Sequence, residues 1–69
     1  MNYTQIAEIK NIVMQKYGEV LHFHDTCGSG MYFSLDRKNY ELEEFLKQYF
    51  ASQGLTAKFS KDGLNFSVE

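Results

Sequence analysis

Proline and tryptophan are absent from this chain, cysteine occurs once, and its 7 Lys and Arg are outnumbered by 9 Asp and Glu. Each shortage closes off a class of protein. Cys27 alone cannot form an internal disulfide, so the sequence is not a small secreted scaffold built on a disulfide framework, and a reducing cytoplasm is the expected compartment. A formal charge of −2 lacks the basic footprint with which most nucleic-acid binders neutralise phosphates, which argues against nucleic acid as a partner. No apolar run approaches the roughly 20 residues of a membrane span. The start Met1-Asn2-Tyr3-Thr4-Gln5 has no basic stretch leading into an apolar one, so neither membrane attachment nor processing is expected. At 69 residues a two-domain enzyme is excluded, and one domain over residues 1–69 is expected.

What is present points to a chain that folds. Its 43% hydrophobic and 16% aromatic content, with 23% charged residues, is unlike the polar, highly charged composition of disordered segments. Between Tyr3 and Tyr17, Ile6, Ile9, Ile12, Val13, Met14 and Tyr17 recur at helical spacing, with Asn2 or Thr4 to cap the start and Gly18 to stop the end. Glu19 to Asp25 then alternates, with Leu21 and Phe23 on one face and Val20, His22 and His24 on the other. Met31 to Leu35 does the same, separating Met31, Phe33 and Leu35 from Tyr32 and Ser34. Asp36 can cap a second helix, Lys38 to Gln53, striped by Leu42, Phe45, Leu46 and Tyr49 and ended by Gly54.

Asp62-Gly63 predicts a type I′ hairpin, which sets Lys61 opposite Leu64, Phe59 opposite Phe66 and Ala57 opposite Val68. That register gathers the large apolar side chains on one face, and a slip by one residue would scatter them. The two halves of the chain then match as helix, glycine, strand, turn, strand. Gly18 aligns with Gly54, Phe23 with Phe59 and Phe33 with Phe66, which predicts that Phe23 pairs with Phe33 and Leu21 with Leu35. The expected fold class is α+β: an α-β-β-α-β-β pseudo-repeat forming a four-stranded, antiparallel-dominated sheet with both helices packed on one face. Strand orders 2-1-3-4 and 1-2-4-3 both satisfy the crossover between the halves.

The first turn is longer than the second, and its residues carry the chemistry. His22 and His24 project from one strand face about 7 Å apart, and with Cys27 they supply imidazole and thiolate ligands suited to zinc or copper. A closed zinc site needs four ligands, and alternation sends Asp25 to the other face. Cys27 beside a protonated histidine would also have a lowered pKa and serve as a nucleophile. Backbone N–H groups of Cys27, Gly28, Ser29 and Gly30 could line a small anion nest, although Gly28 and Gly30 are equally explained by a turn that needs positive φ. No Walker lysine accompanies the Gly-Ser-Gly tract.

The stretch His24-Asp25-Thr26-Cys27, followed by Gly28-Ser29-Gly30-Met31-Tyr32-Phe33, resembles a small uncharacterised bacterial family called RDAC, after an Arg-Asp-Ala-Cys tetrapeptide. Asp25 and Cys27 match it, while His24 and Thr26 replace the arginine and alanine. The resemblance implies a small bacterial cytoplasmic domain and marks Asp25 and Cys27. It implies no reaction, and the missing arginine removes a fixed positive charge beside the thiol.

The face of the sheet away from the helices would show Val20, His22, His24, Tyr32, Ser34, Thr56, Lys58, Ser60, Asn65 and Ser67. Its one exposed aromatic falls short of the two or three stacking rings of single-stranded RNA platforms. A homodimer through this face or through a proline-free sheet edge fits better. The favoured reading is a non-enzymatic module that binds a protein or small ligand through Asp25, Cys27, Gly28, Ser29, Gly30 and Tyr32. The alternative is a thiol- or metal-dependent site, with Cys27 as nucleophile or ligand and His22 and His24 as ligands of zinc.

Overall fold

Asn2 starts the first helix through a reciprocal pair of bonds. Its Oδ1 accepts from the Gln5 N–H at 2.9 Å, and the Gln5 side chain accepts from the Asn2 N–H at 2.8 Å, satisfying donors that a helix start leaves open. In the computed structural model, which describes residues 2–26 and 30–69, helix α1 spans Tyr3–Tyr17 and ends at Gly18, where φ is 66°. Strands β1 (Leu21–Thr26) and β2 (Gly30–Leu35), helix α2 (Tyr40–Ala51), and strands β3 (Ala57–Phe59) and β4 (Asn65–Val68) follow, in the expected α-β-β-α-β-β order.

Helix α2 begins four residues beyond Asp36, the cap read from the sequence. Asn39 is its N-cap, with Oδ1 accepting from the Leu42 N–H at 3.1 Å. Asparagine caps a helix as well as aspartate does, and this leaves residues 36–39 free to turn the chain off the sheet. At the far end the Leu55 N–H returns to the Phe50 carbonyl at 2.9 Å around Gly54, where φ is 76°. Gly18 thus caps α1 directly, whereas α2 ends at Ala51 with the right-handed Ser52 as its cap, and its left-handed glycine follows only at Gly54.

The four strands lie in the order β1-β2-β4-β3, each antiparallel to its neighbour. Both expected hairpin registers hold: Leu21 opposes Leu35 and Phe23 opposes Phe33 in the first, while Ala57 opposes Val68 and Phe59 opposes Phe66 in the second. The halves join where Phe33 meets Phe66. Because these are matching positions in the two halves, an approximate two-fold axis passes between them. One phenylalanine from each strand thus forms a row across the sheet, Phe23, Phe33, Phe66, Phe59, with successive ring centroids 5.2, 4.9 and 4.6 Å apart. Ile6, Ile9 and Val13 of α1 and Leu42, Leu46 and Phe50 of α2 cover this face as one core. Phe50 packs over both central rings, at 6.5 Å from Phe33 and 6.2 Å from Phe66.

The second turn differs from the type I′ geometry. That type needs positive φ at both central residues, whereas Gly63, at φ 71°, is left-handed and Asp62 is not. The Gly63 N–H donates to the Ser60 carbonyl at 3.1 Å, and Asp62 Oδ1 accepts from the Leu64 N–H at 2.9 Å and from the Ser60 hydroxyl at 2.6 Å. An Asx-type bond from the aspartate thus does the work assigned to a second left-handed residue. A Cβ at Gly63 would also sit 3.3 Å from Lys38 Cγ.

Gly63→Ala should therefore lower stability by about 1–2 kcal/mol, the strain of a left-handed alanine. Phe50→Ala should cost about 3–5 kcal/mol. Phe59→Ala should cost less, since that ring is only partly buried. Urea unfolding midpoints rank the three, and a larger loss at Phe59 than at Phe50 would contradict the layout of this core.

Candidate functional site

Strand alternation turns the row adjacent to the phenylalanines toward the uncovered face of the sheet. His24, Tyr32, Ser67 and Lys58 follow from β1 to β3, and His22, Ser34 and Asn65 lie beside them. His24 stacks on Tyr32, its cross-strand partner, with centroids 4.6 Å apart and planes 14° from parallel. Its Nε2 pairs with the Ser34 hydroxyl at 2.8 Å. The His22 Nε2–H donates to Asp36 Oδ1 at 2.9 Å.

The two imidazoles therefore share a face, as their spacing implies, yet their Nε2 atoms go to different partners. A metal bound through those nitrogens would first have to displace Asp36 and Ser34. Cys27, Gly28 and Ser29 lie outside the described residues, and among the described residues no three His, Cys, Asp or Glu groups cluster as a metal site. Asp25 is exposed and opposes Met31, in register with the face that carries Phe23 and Phe33. Gly30 has φ 83°, so the need for a left-handed turn residue explains that glycine.

The ladder between the central strands is short. It covers Phe33 with Phe66 and Ser34 with Asn65, and is extended by the Leu35 N–H donating to the Leu64 carbonyl at 2.8 Å. Beyond Phe33, Tyr32 stands at the edge of a shallow depression of about 480 Å³ that Lys58, Ser60, Asn65 and Ser67 also line, with Phe59 and Phe66. Lys58 is held there by Glu69 Oε2 at 3.0 Å. Among the described residues singled out as a site from the sequence, Tyr32 alone lines this depression. Lys58, Ser60, Asn65 and Ser67 were legible as open-face residues, but their convergence on Tyr32 depends on β4 lying beside β2.

Past Asp36, a second contact ties the two connections to the sheet. Arg37 donates to both carboxylate oxygens of Glu19, with Nη2 at 2.7 Å and Nε at 3.0 and 3.1 Å. Glu19 is the buried charged side chain among the described residues. The guanidinium hydrogen bonds, aided by its charge, hold the carboxyl below its ordinary value of 4.5 against the opposing effects of burial and of Asp36. The same bonds raise Arg37 further. Asp62 is likewise lowered, first by the Ser60 hydroxyl and then by the Leu64 N–H.

Set against protein-family models, curated proteins and solved structures, the chain matches none of them. Among the described residues no helix is long and apolar enough to cross a membrane.

Because Glu19 is depressed in the folded state, the unfolded chain binds the extra proton in acid. The stabilisation is complete above the unfolded value near 4.5 and is lost as pH falls through the folded value. Glu19→Gln should therefore be less stable at neutral pH and lose less on acidification. Urea midpoints measured from pH 7 down to pH 3 check this, and an acid limb as steep as that of the parent chain would remove Glu19 as its source.

Proposed function

We propose that this chain is a small cytoplasmic binding module whose ligand lies on the open face of the sheet, over Tyr32 and the depression shared by Lys58, Asn65 and Ser67. The observation that carries this reading is the early end of the β2–β4 ladder, which opens space beside an aromatic ring among hydroxyl, amide and ammonium groups. The lining favours a small polar ligand with one flat or apolar side, since the Tyr32 ring offers a platform and the surrounding groups offer donors and acceptors. The depression is too shallow for a closed reaction chamber. Asp25 and Gly30, together with Cys27, Gly28 and Ser29, which lie outside the described residues, belong to the same proposal through their closeness to Tyr32 in the sequence. The likeness to the RDAC tetrapeptide supports including Asp25 and Cys27.

A fragment screen by amide chemical-shift mapping tests the proposal. Ligands found should perturb Tyr32, Lys58, Asn65 and Ser67 together, and Tyr32→Ala should weaken them by up to about tenfold while leaving the spectrum folded. Hits that avoid this face, or that bind Tyr32→Ala unchanged, would refute it.

A further inference from the structure

On the helix layer, the end of α1 and the start of α2 enclose a second depression of about 450 Å³. The Lys16 ammonium lies there 4.6 Å from the centroid of the Phe45 ring and 5.9 Å from that of Tyr17. The two rings are 5.6 Å apart and tilted by 55°. A cation thus already occupies the corner of two aromatic faces, within the reach of cation–π attraction. Tyr40 lines the same depression and is 66% exposed, too open to serve the core. Glu41, Glu44 and Gln48 complete the lining. Glu44 makes a distant 3.9 Å contact with Lys47, and Glu41 makes no ion pair among the described residues.

We infer that this groove binds a free quaternary ammonium solute of net positive charge, which takes the place of the Lys16 ammonium against Tyr17, Tyr40 and Phe45. A methylated nitrogen holds water less tightly than a primary ammonium, so it loses less solvation on the ring faces and is the better occupant. The carboxylates of Glu41 and Glu44 add attraction for a net cation and repel a zwitterion bearing its own carboxylate or phosphate. That favours a choline-type solute over a betaine or a phosphocholine headgroup. In the unliganded chain, Lys16 acts as a tethered competitor.

Titration with choline, followed by aromatic NMR, tests this. Shifts should concentrate on Tyr17, Tyr40 and Phe45 with millimolar affinity. Lys16→Met should tighten binding by about two- to fivefold by removing the competitor, and Tyr40→Ala should weaken it by a similar factor. Tyr40 is exposed, so loss of binding there without loss of amide dispersion separates the site from the fold. Glycine betaine and the neutral isostere 3,3-dimethylbutan-1-ol should bind more weakly than choline. Equal binding of either, or an unchanged affinity in Lys16→Met, would overturn the inference.

Discussion

The row of four phenylalanines in ring contact is the feature on which the rest of the molecule depends. Each strand contributes one ring, so the row fixes the register of all three strand pairs at once, and a one-residue slip in any of them would push a ring through to the wrong face. Phe50 seats α2 on the two central rings, and Tyr3 meets Phe23 edge-on with centroids 6.4 Å apart, holding the start of α1 to the outer strand. In a chain of this length the row forms the sheet side of one small core, whose other side is the buried Ile9, Val13, Leu42, Leu46 and Phe50 of the helices.

The candidate ligand surface is the reverse side of that row. Once the phenylalanines face the helices, alternation sends His24, Tyr32, Ser67 and Lys58 outward in the next row, and the early end of the central ladder opens the depression beside Tyr32. Ligand surface and core are therefore set by one register. The uncovered face is polar because its half of each strand has no helix to bury it.

Much of this was legible in the sequence, for a definite reason. Pairings within each hairpin are local, and alternation and turn residues specify them, so Phe23 with Phe33 and Phe59 with Phe66 could be paired by counting. The order of the strands was not legible, because both candidate orders bury the same faces, and the choice rests on Phe33 meeting Phe66 from the far half of the chain. The same limit applies to the histidines. Their shared face follows from spacing, whereas the partners Asp36 and Ser34 follow from the first hairpin's closure. Asp36 read as a helix cap because aspartate suits that role, but Asn39 suits it equally and stands closer to the apolar stripe of α2.

The short seam between β2 and β4 also bears on how the chain reaches its native state. Each hairpin closes over a brief turn and needs little loop entropy, but joining Phe33 to Phe66 must draw together segments separated by all of α2. Loop entropy thus makes the closure of each hairpin cheaper than the docking of the two halves. The seam that makes room for a ligand is therefore, among the described residues, the one strand pairing in the sheet that joins distant parts of the chain.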